Sequence, residues 1–215
     1  MIVVKKIVRR DKEKTKQKLI NAVGRLLRKE GFHAIKINKV AETAGVGKKL
    51  IYDYFNGLNG LIKAYLTQVD FWNKEQEYFQ KDTNNFTSNI SKEMMFSLMK
   101  NDFEYLEKSI EIQKIILWGI SVKNKTINAL IEQREEFGKN VFKLTDKDFD
   151  GSSVDFRAIN AIFVSAIYYM VLHAKTNGVT LCEIDVATEE GKQRIFNTMR
   201  QIFDWSYEEG QFSKT

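Results

Sequence analysis

The sequence predicts an all-α fold in which a small helical domain, residues 1–60, is followed by a larger helical domain, residues 61–215. The chain contains no proline, so no imino acid interrupts its helices from within. Apolar residues recur at spacings of three and four along most of the chain, which is the period of an amphipathic helix. We place the division at Leu61, inside a helix that is rigid enough to join the domains without a flexible linker.

The pattern predicts helices near residues 11–30, 37–44, 48–55, 59–80, 87–100, 102–121, 124–144, 154–176 and 187–209. Turns are expected at Lys81 to Asn85, at Asp146 to Ser153 and at Asn177-Gly178, where polar residues and glycine end the apolar periodicity. The segment from Val179 to Asp185 is too short to be assigned.

Composition limits the class of protein. With 43% hydrophobic residues the chain has enough material for a buried core, so we expect an ordered protein. The first ten residues have too short an apolar run for a signal peptide, and no segment has the roughly 18 uninterrupted apolar residues of a membrane span. A single cysteine, Cys182, excludes an intrachain disulfide. We therefore expect a cytoplasmic protein.

Residues 31–55 contain two short helical patterns joined at Gly45, which is the arrangement of a helix-turn-helix. Gly45 can take the left-handed conformation that closes a tight turn. The second helix buries Ile51 and Phe55 at i and i+4. Its other faces carry cationic and phenolic side chains, which suit the phosphates and base edges of a DNA major groove: Lys48, Lys49, Tyr52 and Tyr54.

From about Lys14 to Leu66 the sequence resembles the DNA-binding domain of the TetR family of bacterial transcriptional regulators. The resemblance rests on joint spacing over three helices and the start of a fourth: Leu19, Ile20, Ala22, Val23, Leu26, Leu27 and Gly31, then Val40, Ala41, Ala44, Gly45 and Val46, then Ile51, Tyr52, Tyr54 and Phe55, then Leu61. It implies that the protein binds duplex DNA, with Lys36 and Lys39 on flanking phosphates and Gly47, Lys48, Lys49, Tyr52 and Tyr54 at the recognition helix.

Three positions depart from the family pattern. Lys36 and Gly47 stand where the family usually has Thr and often has Ser, so two preferred N-cap side chains are missing. Leu58 stands where the family often has a phosphate-binding Lys. None of the three changes breaks the predicted core.

Charge is distributed unevenly along the chain. Residues 1–50 have fifteen Lys and Arg against four Asp and Glu, a net of +11, whereas residues 51–215 have nineteen against twenty-four, a net of −5. The overall charge of +6 is therefore the sum of a basic N-terminal region, the head, and an acidic remainder of the chain, the body. A basic region that coincides with a helix-turn-helix is typical of a duplex-binding face, although a solvated lysine-rich surface would have the same composition.

The long helix near 154–176 is apolar around most of its circumference, and an apolar stripe also runs along Ile195 to Tyr207. An ordinary intrachain core would explain both. The resemblance implies instead that these last two helices form the interface of a homodimer, which would read an inverted-repeat operator.

The resemblance also implies a small-molecule pocket in the helical body. Flexible Met and aromatic side chains suit a mostly apolar effector, with polar groups to orient it. The candidates are Met94, Phe103, Trp118, Tyr168 and His173, although such residues at helical spacing also form ordinary cores.

Neither a catalytic constellation nor a metal site is expected. His33, His173 and Cys182 show no metal-ligand spacing. The pairs Glu135-Glu136 and Glu189-Glu190 are adjacent on helices, so their carboxylates do not face one another. We expect no enzyme activity and no cofactor.

The sequence thus predicts a ligand-responsive transcriptional regulator, a repressor released from its operator by a small effector. Two alternatives stay open. One is a ligand-insensitive DNA-binding protein with a solidly packed body, and the other is a helical ligand-binding or adaptor protein whose head has lost DNA binding.

Overall fold

The computed structural model describes residues 2–69 and 91–212, and the side chains of residues 11–69 and 91–211. Over these residues it contains a 3-10 helix, Phe32–Ala34, and nine α-helices: α1 Ile2–Glu30, α2 Ile37–Ala44, α3 Lys49–Phe55, α4 Leu58–Val69, α5 Lys92–Lys108, α6 Ile110–Ser121, α7 Lys125–Phe149, α8 Phe156–Asn177 and α9 Glu189–Phe212. The predicted all-α fold is confirmed.

The described residues pack as two compact units. The first unit contains those of Met1–Glu75 together with Ile110–Glu132, and the second contains those of Gln76–Ser109 together with Gln133–Thr215. The predicted functional division after residue 60 stays a prediction.

The first unit is built around α1, whose buried stripe recurs at helical spacing: Leu19, Ala22, Val23, Leu26 and Leu27. Helices α2 and α4 pack on α1 through Val40, Leu61 and Leu66, all of which are buried. The guanidinium of Arg25 donates a hydrogen bond of 2.6 Å to the backbone oxygen of Thr43, near the end of α2. These contacts hold the helix-turn-helix on a single long helix.

The turn between α2 and α3 forms at the predicted glycine. Gly45 adopts the left-handed conformation, with φ 67° and ψ 37°, and its amide donates to the last turn of α2. The amide of Val46 donates to the oxygen of Ala41 at 3.0 Å, which completes the cap. At the other end of α2, Lys36 is extended and its side chain makes no capping hydrogen bond. The loss of a side-chain cap that the sequence predicted at Lys36 is confirmed.

Helix α6 also belongs to the first unit. Arg28 near the end of α1 forms an ion pair with Glu111 on α6. The ring of Trp118 stacks on that of Phe32 in the 3-10 helix, with centroids 5.5 Å apart and planes 7° apart. An ion pair and an aromatic stack therefore fix α6 to the end of α1.

The second unit has an aromatic core. Phe103 on α5 contacts Phe196 on α9 edge-on at 5.1 Å, and Phe163 on α8 contacts Phe203 on α9 in the same way at 5.1 Å. Helix α8 starts at Asp155, whose carboxylate accepts a hydrogen bond from the amide of Ala158 at 2.9 Å. Burial of the phenol, with Asp148 and Glu93 acting in the same direction, raises the pKa of Tyr207.

A charged cluster joins α5 to the first turn of α9. The ammonium of Lys192 lies 3.0 Å from Glu107 and 2.7 Å from Glu189, and Lys175 on α8 lies 3.7 Å from Glu107. The hydrogen bond to Glu189 raises the pKa of Lys192, and a further hydrogen bond to Glu107 does the same. The lysine is therefore held in its charged form at this junction.

Several predicted helix ends were wrong. Helix α1 begins at Ile2, nine residues before the predicted start. The predicted break near residue 101 does not occur, because Met95, Met99, Phe103 and Leu106 continue one buried stripe along α5. The chain breaks instead at Ser109, where the first unit resumes.

Two predicted turns are confirmed, and one extension was missed. Gly151 and Gly178 both have left-handed backbones, and Gly178 caps α8. Helix α7 runs on to Phe149 because that ring is buried and stacks on Phe156 at 4.2 Å. The turn predicted at Lys81 to Asn85, the end of the helix predicted to residue 80 and the start of the one predicted from residue 87 lie outside the described residues.

The unassigned segment after α8 forms a tight turn. Leu181 and Ile184 exchange two backbone hydrogen bonds of 3.0 Å. The two residues between them, Cys182 and Glu183, have φ of 49° and 63°. Glycine or asparagine normally marks a turn of this kind, and neither occurs at these two positions, so no sequence pattern indicates the turn.

The corner between α3 and α4 depends on Gly60. A Cβ at this position would lie 1.8 Å from the carbonyl oxygen of Phe55, closer than any two such atoms can approach. Gly60→Ala should therefore displace one helix from the other and destabilise the first unit by about 1–3 kcal/mol, as overpacking does. Urea denaturation followed by circular dichroism measures the loss.

Gly47→Ala is the matched control, because a Cβ at Gly47 meets no atom within 4 Å. This variant should unfold at the wild-type urea concentration or slightly above it. Equal midpoints for Gly60→Ala and the wild type would contradict the proposed corner constraint.

Candidate nucleic-acid interface

Helix α3 has one buried and one exposed face. Ile51 is completely buried against the first unit. The opposite stripe, at spacings of three and four, is exposed to solvent: Lys49, Tyr52, Asp53 and Asn56. Tyr52 has 55% of its surface exposed, which is high for an aromatic residue on a packed helix. We call these four residues the recognition stripe.

The start of α3 adds positive charge to this surface. Gly47 and Lys48 are exposed, and their backbone oxygens accept the first helical hydrogen bonds, from Leu50 at 3.0 Å and from Ile51 at 3.1 Å. The side chain of Lys48 makes no capping hydrogen bond. Two ammonium groups, of Lys48 and Lys49, therefore stand at the positive end of a helix dipole, where an anion is favoured.

Tyr54 does not share the recognition stripe. It is half-buried, and the ammonium of Lys12 on α1 lies over its ring at 5.2 Å from the centroid. This cation–π contact places the first part of α1 beside the recognition helix. Lys12 is exposed and therefore extends the basic surface toward the N-terminal half of α1.

The two lysines predicted on flanking phosphates have different surroundings. Lys36 is exposed just before α2. Lys39, inside α2, is half-buried and forms an ion pair with Glu30 at the end of α1. A phosphate at Lys39 would have to compete with that carboxylate. Leu58, the third departure from the family pattern, is half-buried at the start of α4.

Sequence reasoning missed three residues of this surface: Lys12, Asp53 and Asn56. Helical spacing from Lys49 would have identified Asp53 and Asn56, because they continue its stripe at i+4 and i+7. The contact of Lys12 with Tyr54 joins residues 42 positions apart in sequence, so no local pattern indicates it.

The five predicted ligand-binding residues divide between the two units. Trp118 belongs to the first unit, where it is buried against Phe32. The other four belong to the second unit: Phe103 is fully buried, whereas Met94, Tyr168 and His173 are half-buried. Their role in binding a ligand stays a prediction.

The second unit offers a polar group that the prediction did not include. Asn160 is 1% exposed on the inner face of α8, one turn after Phe156 and about one turn before Phe163. Its amide nitrogen donates to the oxygen of Phe156 at 2.7 Å, while its amide oxygen has no hydrogen-bond partner among the described residues. A buried acceptor of this kind can bind a donor group of a ligand.

A surface groove also lies in the second unit, where α7 turns into α8. It has a volume of about 760 Å³ and its wall includes the stacked rings of Phe149 and Phe156 and the ion pair of Arg157 with Asp146. None of the five predicted ligand-binding residues lines this groove.

Residues 16–65 match the family of bacterial regulatory proteins named tetR. This range contains α2, α3, most of α4 and the packed part of α1, so it covers the recognition stripe. No curated protein has a sequence that matches the chain.

Solved structures with the same fold are distant in sequence. FadR of Bacillus subtilis, a transcriptional regulator in complex with stearoyl-CoA, is 14% identical over 87% of this chain and 96% of its own, with a TM-score of 0.59. NalD of Pseudomonas aeruginosa, the secondary repressor of the MexAB-OprM multidrug efflux pump, is 14% identical over 91% and 96%, with a TM-score of 0.60.

A TetR family transcription regulator of Marinobacter aquaeolei VT8 is 18% identical over 90% of this chain and 97% of its own, with a TM-score of 0.57. These likenesses concern the fold over 87–91% of the chain, and the family match concerns the helix-turn-helix that presents the recognition stripe. The resemblance predicted from sequence is confirmed: residues 16–65 match the tetR family of bacterial regulatory proteins, and the chain shares its fold with solved regulators of that family.

Proposed function

We propose that the protein is a homodimeric repressor that binds an inverted-repeat operator and is released from it by a small, mostly apolar effector. The main support for DNA binding is the recognition stripe of α3. It is exposed to solvent, while Ile51 on the opposite face of the helix is buried. A surface with lysines at its start and a phenol and an amide along it can bind phosphates and contact base edges.

The alternative in which the head has lost DNA binding is the less favoured one. Lys36, Gly47 and Leu58 depart from the family pattern, yet the turn at Gly45 is intact and Lys36, Lys48 and Lys49 are exposed. The missing side-chain cap weakens α2 by about 1 kcal/mol without changing what α3 presents.

Exposed apolar residues on α8 support the proposed dimer. Ile162 and Tyr169, seven positions apart on one face of α8, are 65% and 59% exposed, and the small residues Ala158, Ala161 and Ser165 are exposed beside them. Trp205 on α9 is 58% exposed. Water contact with such a face is unfavourable, and a second copy of the chain would remove it. Phe203, which the sequence placed in the stripe of α9, is buried within its own unit.

The same face bears on localisation. Among the described residues, α8 is long and apolar enough to cross a membrane, by length and composition alone. Core helices of soluble proteins pass that test as well. We propose a cytoplasmic protein in which the partner subunit, rather than lipid, covers the exposed side of α8.

Two features support an effector. Asn160 supplies a buried acceptor without a partner among the described residues, next to an aromatic core. FadR, which has the same fold, forms a complex with stearoyl-CoA, a ligand with a long apolar chain. Helix α6 offers a mechanical connection, because its contacts with Arg28 and Phe32 would transmit a shift of α6 to α1.

Lys48→Ala combined with Lys49→Ala should weaken binding to every duplex sequence. Each phosphate contact that is lost reduces the number of counterions released on binding. The plot of log K against log salt should therefore become less steep by about one unit of slope per contact. Fluorescence anisotropy with a labelled duplex at several salt concentrations measures both quantities.

The control is Lys123→Ala combined with Lys125→Ala, two exposed lysines at the turn between α6 and α7. That variant should keep the wild-type slope. If the Lys48 and Lys49 variant keeps both its affinity and its slope, α3 does not face the duplex.

Ile162→Asp should yield monomers, because the charge would be desolvated in the dimer interface without a partner. Light scattering at micromolar concentration measures the mass. Ile120→Asp is the control, since Ile120 is 74% exposed on α6, outside the proposed interface. A monomeric wild type, or a dimeric Ile162→Asp variant, would refute the proposed interface.

Asn160→Leu should make the protein more stable and less responsive to the effector. It removes a buried acceptor whose isolation costs about 1–3 kcal/mol, and with it the group that we expect to bind the ligand. Urea denaturation measures the first effect. Release from the operator by stearoyl-CoA, and by a library of apolar compounds, measures the second.

Ser206→Ala serves as the control, because the buried hydroxyl of Ser206 already donates to the oxygen of Ile202 at 2.6 Å. This variant should lose a little stability and keep the response. Operator binding that no compound alters would favour the ligand-insensitive alternative.

A further inference from the structure

Asp53 is an acidic residue on a surface that otherwise suits an anion. It lies on the exposed face of α3, between Tyr52 and the C-terminal Asn56, and four positions after Lys49. Its side chain has neither a hydrogen bond nor an ion pair with any residue that the structure describes. Lys49 and Asp53 are separated by one helical turn and could pair, but they do not approach within 4.0 Å. The carboxylate is therefore free to meet a ligand.

An unpaired carboxylate is unfavourable beside a phosphate backbone. Two like charges a few ångströms apart repel, and they repel more strongly at the effective dielectric of a protein surface than in bulk water. A carboxylate on the DNA-facing side of α3 thus opposes the attraction of Lys48 and Lys49 unless a donor on the duplex compensates for it.

The major groove supplies such donors at only two bases. The exocyclic amino groups of cytosine and adenine project into it, whereas guanine and thymine offer acceptors and a methyl group there. Asp and Glu characteristically accept a hydrogen bond from the amino group of cytosine. A carboxylate cannot bind the acceptor edge of guanine, so it discriminates strongly between the two bases of one pair.

We propose that Asp53 is a specificity-determining residue, whose carboxylate accepts a hydrogen bond from the exocyclic amino group of a cytosine in the major groove of each half-site. This inference rests on the proposed DNA binding. It assigns different tasks to neighbouring residues of α3: the lysines provide affinity for any duplex, and Asp53 excludes the wrong base at one position.

The test selects binding sites from a random duplex pool with the full-length protein and then measures affinity for each single-base change in the preferred site. In the wild type, replacing the contacted cytosine should weaken binding roughly 5- to 150-fold, the range expected for one good base contact. Asp53→Ala should abolish the preference at that position alone. Asp53→Asn should move it toward adenine, whose edge an amide can bind with two hydrogen bonds.

Glu42→Gln is the matched control, because Glu42 is an exposed acidic residue on α2 of the same helix-turn-helix. It removes the same charge and should change no base preference. Uniformly tighter binding of Asp53→Ala and Asp53→Asn to all sequences, with every preference kept, would show that Asp53 only repels phosphates and would overturn the assignment. A preference for adenine in the wild type would overturn the choice of cytosine.

The outcome also separates this inference from the function on which it rests. A wild-type protein that binds no duplex at low salt would overturn both. Wild-type binding that is sequence-specific and unchanged in the Asp53 variants would overturn only the role of Asp53. Circular dichroism of the variants should match that of the wild type, since the Asp53 side chain has no hydrogen bond or ion pair with the described residues to lose.

Discussion

The close approach of α4 to the end of α3 is the constraint on which the exposed surface depends. Helix α3 has only seven residues, too few to be stable alone, so its position must come from its neighbours. Burial of Ile51 fixes its rotation, and the approach at Gly60 fixes its end against the backbone of Phe55. With both fixed, Lys49, Tyr52 and Asp53 have no inward alternative. Their exposure is a consequence of packing on the opposite face.

Helix α1 distributes this constraint through the first unit. Three residues along α1 contact other elements of the unit. Lys12 lies over the ring of Tyr54, Arg25 donates a hydrogen bond to the end of α2, and Arg28 forms an ion pair with α6. The ring of Tyr65 on α4 packs against Gly24 of α1. A Cβ atom at Gly24 would lie 2.9 Å from that ring, so glycine allows the close approach. A shift of α6 therefore acts on the same rigid helix that positions the recognition stripe. Coupling between an effector and DNA requires only that the effector prefer one position of α6.

The sequence predicted what local patterns determine and missed what distant contacts determine. The turn at Gly45, the uncapped start at Lys36 and the end of α8 at Gly178 follow from residues within one turn of each other, and all are confirmed. The extension of α7 to Phe149 depends on a ring seven residues further on, and the assignment of α6 to the first unit depends on Phe32 and Arg28. At the candidate interface, the lysines were predicted from composition and Asp53 was overlooked although it lies four residues after Lys49 on the same helix. Only Lys12 depended on a distant contact, the one with Tyr54.

Helix α8 shows why its apolar character could not be interpreted from sequence alone. One side of the helix packs in the aromatic core through Phe163 and Ile167, and the other side exposes Ile162 and Tyr169. A helix that is apolar on both sides needs two coverings, and its own unit provides one. Lipid is a poor second covering, because the half-buried His173 would then lie within the membrane-spanning length. A second α8, related by a two-fold axis, would present the same small and apolar residues to this side. The two-sided apolar character of α8 is thus the physical basis for the proposal that its exposed side is half of a symmetric interface.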